Sequence, residues 1–206
     1  MHIVCSDLEG VFVPEIWINV AQITGIDELR LTTRDISDYN VLMRKRLGLL
    51  GQHGLTLRDI QNVIATMEPL KGALDFLDWL REHTRLIIVS DTFVEFADPL
   101  IAKLKRPTLF CNSLTVAPNG QITDYVLRQE DGKRKVVEGL QRMNFQVVAM
   151  GDSYNDITML KKAEKGILFR PPENVVAEFP EFPVTDDFDD LKTILQKALS
   201  DLDNVR

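Results

Sequence analysis

A handful of side chains in this sequence could do chemistry together, provided the chain gathers them. Asp7, Asp152 and Asp156 are carboxylates at or just beyond the ends of apolar runs, Ser90 ends another such run, and Lys133 opens an amphipathic stretch. Three carboxylates brought close repel one another unless they are protonated or neutralised. A divalent cation resolves the conflict, and Mg²⁺ suits it, because it takes a few protein oxygens and keeps several waters. A metal held by so few protein groups commonly takes phosphate as a further ligand. The Ser90 hydroxyl and the backbone N–H groups after it suit phosphate oxygens where the chain turns. Lys133 offers a point charge to carboxylate and phosphate alike. Taken singly, each has a plainer reading: an acid in a strand-end loop, a serine capping a helix, a solvated lysine beside Arg134 and Lys135.

The elements must therefore be such that positions 7, 90, 133 and 152 share one edge. Ile3-Val4-Cys5, Leu86-Ile87-Ile88-Val89 and Val147-Val148-Ala149-Met150 read as buried strands ending at Asp7/Glu9, Ser90-Asp91-Thr92 and Gly151-Asp152. Between the first two lies a helical stretch, about 14 to 70. Ile16, Trp17, Val20 and Ile23 recur at helical spacing before Gly25, residues 38–51 form a second helix, and Thr56 with Asp59 opens a third that Pro69 ends. After Gly72 helices and strands alternate. Residues 73–83 place Leu74, Leu77 and Leu80 on one face. Asp98-Pro99 reads as an N-cap followed by proline at the first helical position. Runs at 108–116 and 122–128 flank Pro118-Asn119-Gly120-Gln121, a hairpin signal. A helix starts at Lys133, a short run covers 166–169, and a terminal helix covers 187–199. Alternation of this kind implies right-handed crossovers and a mostly parallel, doubly wound α/β sheet. Such sheets bind ligands at the carboxyl ends of their strands.

Composition sets outer bounds. The 206 residues allow one well-buried core and a smaller lobe. No stretch approaches the roughly 18 continuous apolar residues of a membrane span. The opening residues lack the pattern of a signal peptide. Cys5 and Cys111 sit in apolar runs and read as buried free thiols, so a cytoplasmic protein is expected. A net charge of −7 argues against nucleic acid or anionic membrane as the partner. His2, His53 and His83 have no ligand-like spacing, and Trp17, Trp79 and Phe76 read as core.

Asp7-Leu8-Glu9-Gly10-Val11, Ser90, Lys133 and Gly151-Asp152-Ser153-Tyr154-Asn155-Asp156 resemble, in order, the four motifs of the haloacid dehalogenase superfamily. Within it the chain looks most like phosphoserine phosphatases, over nearly its whole length. The resemblance implies a Rossmann-type core, residues 1–13 and 72–206, with a small helical cap, residues 14–71, inserted after the first strand. It implies that Asp7 is a nucleophile forming an aspartyl-phosphate, and that Asp7, the Glu9 backbone carbonyl and Asp152 bind Mg²⁺, with Asp156 holding a metal-bound water. Ser90 and Lys133 would stabilise the transferring group, with Asn155 assisting. In the cap, Arg46 falls where the family grips the substrate carboxylate and Tyr39 at an aromatic lining position. Glu15 is offered to the substrate ammonium, although its spacing from Asp7 is one short of the usual pattern.

Position 9 departs from the pattern, since the family normally has a second Asp there as its acid and base. A Glu here, and the run Pro14-Glu15-Ile16-Trp17, resemble a small group of bacterial phosphoserine phosphatases that also transfer phosphate to homoserine. The expected function is thus Mg²⁺-dependent hydrolysis of phosphoserine, in amino-acid biosynthesis, with transfer to homoserine as an added activity. Another small phosphomonoester is the alternative substrate, and a homodimer is left open. A phospho-accepting signalling domain gathers similar groups, but the helical insertion and the late acids argue against it.

Overall fold

The computed structural model describes residues 1–204 apart from Arg34 and Ser37. Seven strands form one sheet in the order β4-β3-β2-β1-β5-β6-β7. They are β1 (His2–Ser6), β2 (Leu86–Phe93), β3 (Leu109–Val116), β4 (Ile122–Val126), β5 (Gln146–Gly151), β6 (Lys165–Phe169) and β7 (Val184–Thr185). All neighbours run parallel except β3 and β4, the hairpin that turns at Gly120 with φ +86°. Alternate residues along a strand point to opposite faces, and each face here has its own core. Val4, Ile88, Val148 and Met150 join one cluster, while Ile3, Cys5, Val89, Val147 and Ala149 join the other. That is why these strands read as unbroken apolar runs instead of alternating ones.

Between β1 and β2 the chain is helical: α1 (Ile16–Thr24), a 3₁₀ turn (Asp27–Arg30), α2 (Tyr39–Gln52), α3 (Leu57–Thr66) and α4 (Ala73–His83). Gly25 closes α1 in the left-handed region at φ +73°, and its N–H bonds to the Ala21 carbonyl. Thr56 and Asp59 make the full capping box that starts α3. After β2 come α5 (Val94–Lys103), α6 (Gly132–Arg142), α7 (Ile157–Lys162), α8 (Glu173–Glu178) and α9 (Phe188–Asp203). Helices α6 and α7 pack on one face of the sheet, and α4, α5 and α9 on the other.

Several expectations need correction. Helix α5 does not begin at Asp98-Pro99; it begins at Val94, and Pro99 lies inside it. A proline there leaves the carbonyl four residues back without its helical donor. Gln61 of α3 supplies the replacement, donating its Nε2 to the Glu95 carbonyl at 2.8 Å. Strand β2 runs on to Phe93 past Ser90, with irregular register against β3 between Val89 and Phe93. Leu74 and Ile23 are exposed; the buried face of α4 is Ala73, Phe76, Leu77 and Leu80. Neither α8 nor β7 was legible in the sequence, being short and weakly patterned. Cys5 and Cys111 are buried free thiols, as expected.

Candidate active site

The chain leaves β1 by continuing its ladder for one more bond, Asp7 N–H to the Met150 carbonyl at 3.0 Å. It then folds back tightly: Gly10 donates to the Val13 carbonyl at 2.9 Å and Phe12 to the Leu8 carbonyl at 2.9 Å. Val11, Phe12 and Val13 are wholly buried, so the turn after Asp7 is fixed by packing. The turn depends on Gly10, which has φ +74°. A Cβ at that position would lie 2.5 Å from the Asp152 carboxylate, so Gly10 lets the β1 loop close against the β5 loop.

At the end of β5, Gly151 makes room in the same way, since a Cβ there would meet the Asp156 carboxylate at 2.3 Å. Asp156 is fully buried. Its Oδ2 accepts from the Asp152 and Ser153 backbone N–H groups at 3.0 and 3.1 Å, and its Oδ1 accepts from Lys133 Nζ at 2.7 Å. Lys133 comes from the first turn of α6 and is also buried. Its ammonium lies 3.0 Å from Asp7 Oδ1 and 3.7 Å from Asp91 Oδ2. Burial opposes the lysine charge, but the Asp156, Asp7 and Asp91 carboxylates outweigh it and hold the pKa well above the ordinary lysine value.

Carboxylate oxygens of Asp7, Asp152 and Asp156 all lie within 4.8 Å of one another. Burial lifts the Asp7 pKa well above its usual range, and the charges of Asp156 and Asp152 add to this against the opposing pull of Lys133. Asp152 is pushed up to about 7 by burial and by the charges of Asp156 and Glu15. Buried carboxylates short of positive charge are the surroundings a hard cation relieves, and an all-oxygen donor set suits Mg²⁺. The residues present fit such an ion.

Asp7 and Asp152 open onto a cavity of about 240 Å³ that is also lined by Glu9, Glu15, Tyr39, Arg46, Ser90 and Asn155. Ser90 is buried where β2 loses its regular register, and its Oγ accepts from Thr92 N–H at 3.1 Å. Asn155 is pinned at both ends of its amide, receiving Ser153 Oγ at 2.5 Å and donating to Asp91 at 2.9 Å. Glu9 reaches past the turn to accept the Ile16 N–H, at the first residue of α1, at 2.7 Å. Burial and the Glu15 charge push Glu9 up to about 8, despite that bond and the pull of Arg46 and Lys133. Tyr39, the first residue of α2, donates its hydroxyl to the Asp91 carbonyl at 3.1 Å. Glu15 immediately precedes α1.

Arg46 lines the same cavity. It is 7% exposed, and burial lowers its pKa to about 10 in spite of Glu9, Tyr39 and Glu15. Its Nη2 donates to the Leu31 carbonyl at 2.9 Å, while its Nε is buried with no hydrogen-bond partner. The expected site residues are thus brought to one place, with Asp156 buried beneath the cavity and Lys133 lining a neighbouring one that shares Tyr39, Asp91 and Asn155. The sequence reading left out Asp91, although it follows Ser90 at the same strand end, and it also left out Gly10 and Gly151. It assigned Trp17 to the core; Trp17 is buried, but it also lines the cavity and stacks on Arg46.

Residues 31–161 match the family model of haloacid dehalogenase-like hydrolases. The chain is 54% identical over 200 residues to phosphoserine phosphatase ThrH of Pseudomonas aeruginosa, covering 97% of this chain and 98% of that one. A phosphoserine phosphatase of Pseudomonas syringae is 52% identical over 96% of this chain and 84% of its own length. A crystal structure of a phosphoserine phosphatase in apo form superposes with a TM-score of 0.76 at 24% identity, over 95% of this chain and 98% of that one, and so supports the fold. The chain belongs to the haloacid dehalogenase-like hydrolases, and it is an enzyme of that hydrolytic class. Within the family, its similar relatives are those named phosphoserine phosphatase. No helix among the described residues is long and apolar enough to cross a membrane.

Proposed function

We propose that this enzyme is a Mg²⁺-dependent phosphoserine phosphatase that works through an aspartyl-phosphate on Asp7 and also transfers the phosphoryl group to homoserine. The observation that carries this reading is the set of groups on one cavity. Asp7 and Ser90 line it, with the Lys133 ammonium 3.0 Å from Asp7, and Glu15 and a buried Arg46 whose Nε has no partner line it too. A phosphorylated amino acid has the groups that match this set.

Phosphoserine would lie with its carboxylate on Arg46 and its ammonium at Glu15, a fork-and-carboxylate pairing that suits the guanidinium. Ser90, Lys133 and Asn155 would hold the phosphoryl oxygens. Asp7 attacks phosphorus in line, and the bond from phosphorus to the serine oxygen breaks. Glu9, held near 8 and so largely protonated at neutral pH, passes its proton to that oxygen. The resulting Glu9 carboxylate then takes a proton from the acceptor hydroxyl, whose oxygen displaces Asp7 from phosphorus. Asp7, Asp152 and the Glu9 backbone carbonyl would hold Mg²⁺, which neutralises charge on the transferring group. Asp156, its oxygens already engaged by Lys133 and two backbone N–H groups, suits an outer place through water. Residues 14–71 would act as the cap that sets substrate choice. The name of the Pseudomonas aeruginosa relative and its identity across the whole chain support the reading.

The test is a product balance on purified protein with phosphoserine and Mg²⁺, with and without homoserine. Without homoserine, serine and inorganic phosphate should appear in equal amounts. With it, serine should exceed inorganic phosphate, and phosphohomoserine should account for the difference. Equal amounts at saturating homoserine would leave a phosphatase alone, and no turnover of phosphoserine would remove the reading.

A further inference from the structure

Arg46 is a cation held almost out of water, near enough to Glu9 and Glu15 to feel their charge but with uncharged atoms as its direct contacts. One Nη donates to the Leu31 carbonyl at 2.9 Å, the other faces Met43 Sδ at 3.7 Å, and Nε has no partner. These contacts lie around the edge of the guanidinium. Its Cζ lies over the indole ring of Trp17, 4.6 Å from the ring centroid. Trp17 is itself braced: its ring meets Phe96 of α5 edge-on at 5.7 Å and 71°. It also lines the cavity, as does Glu15 just before α1.

A guanidinium stacked on an aromatic face keeps its N–H groups in plane and unobstructed, and the attraction is stronger where water is excluded. Without such a face, a buried arginine on a flexible side chain can turn its donors away from an incoming carboxylate. That rotation would have to be reversed on binding, at a cost to affinity. Trp17 occupies the second position of α1, so the helix that follows the Glu9 turn fixes the ring in place.

We propose that Trp17 is a positioning residue for substrate specificity: it holds the plane of the Arg46 guanidinium and thereby sets the preference for ligands that carry a carboxylate. The proposal rests on the reading of Arg46 as the carboxylate grip. Trp17 does not touch the reacting atoms. Its effect should fall on the affinity for carboxylate-bearing substrates and spare the chemical step.

The test compares phosphoserine with phosphoethanolamine, which lacks the carboxylate, in Trp17→Leu, Trp17→Phe, Arg46→Ala and the double variant Trp17→Leu/Arg46→Ala. Trp17→Leu should raise KM for phosphoserine about 5- to 30-fold, the size of a desolvated cation–π contact, and raise it several-fold less for phosphoethanolamine. Trp17→Phe, which keeps an aromatic face, should recover much of the loss. In the Arg46→Ala background, Trp17→Leu should add no selective loss. Equal losses on both substrates, or a selective loss that persists without Arg46, would overturn the proposal. Should Arg46→Ala itself lose equally on both substrates, the parent reading falls and the proposal with it. A selective Arg46→Ala beside an unselective Trp17→Leu removes Trp17 alone. Fluorinated tryptophans in a Trp79→Phe background keep the indole shape, so they guard against a leucine variant that fails to fold. KM for phosphoserine should climb with each fluorine added, and a flat series would refute the stacking role.

Discussion

Asn155 donates its side-chain amide to Asp91 at 2.9 Å, joining the loop after β5 to the irregular end of β2. The two residues are 64 positions apart in sequence and border the same cavity. Asp91 also stands 3.7 Å from Lys133, and its backbone carbonyl receives Tyr39 Oη and Asn112 Nδ2, each at 3.1 Å. One residue thus meets groups from α2, β3, α6 and the β5 loop.

Asp91→Ala should therefore reduce kcat/KM by about 10-fold or more, as expected when a group that orients ligand contacts is lost. Asp91→Asn keeps an acceptor for Asn155 and should lose less. Steady-state kinetics in both variants check this, and an unchanged Asp91→Ala would show that the junction is dispensable.

Asp7→Asn should leave the fold intact and drop turnover to below about 1% of wild type, because an amide cannot form the acyl-phosphate. Circular dichroism and phosphate release measure the two halves of this expectation. Retained turnover would place the nucleophile elsewhere.

Asp152→Asn should raise the Mg²⁺ concentration for half-maximal activity by roughly 10-fold or more, since a hard cation loses a charged oxygen. A Mg²⁺ titration of activity reads this directly. An unchanged midpoint would remove Asp152 from the ligand set.

The acids also predict how stability depends on pH. Folding raises Glu9 from 4.5 to about 8 and Asp152 from 3.8 to about 7. Between those limits the folded metal-free protein holds more protons than the unfolded chain. The stabilising share of these groups is full below their unfolded pKa values and is lost as pH rises through the folded ones. Mg²⁺ binds the deprotonated carboxylates, so the rise in Tm on adding it should grow from pH 5 to pH 8. Thermal melts with Mg²⁺ and with chelator across that range test it; a pH-independent difference would contradict it.

Gly10→Ala should cost about 1–2 kcal/mol from the left-handed backbone alone, before any displacement of Asp152. It should also raise the Mg²⁺ concentration needed for half-maximal activity, as Asp152→Asn does. Denaturant unfolding and a Mg²⁺ titration on one preparation separate the two effects. An alanine variant with native stability would show that the turn relaxes without strain.

The sequence made the sheet and its ligand edge legible because three apolar runs end in polar groups, a pattern that survives without knowledge of partners. It made α3 legible through Thr56 and Asp59, a local signal spanning four residues. It did not reveal Asp91 as a junction, because partners of its carbonyl and carboxylate that lie 21 to 64 residues away leave no local trace. Trp17 is core, as expected, but its second place at the cavity beside Arg46 was not legible, because burial and cavity lining both call for an apolar ring. The start of α5 was lost because proline is a strong local signal for a helix beginning, while the donor that makes an interior proline tolerable belongs to another helix.

That last contact carries a consequence for inheritance. Pro99 and Gln61 share the Glu95 carbonyl as their common interest, one by vacating it and the other by filling it. In a descendant with a residue other than proline at 99, the restored amide would compete for that carbonyl, and selection would no longer hold glutamine at 61. Losing the glutamine first would leave a helical carbonyl without a donor, which makes that order of change the costlier one. An alignment of relatives should therefore show positions 61 and 99 changing together, with substitution at 99 preceding substitution at 61.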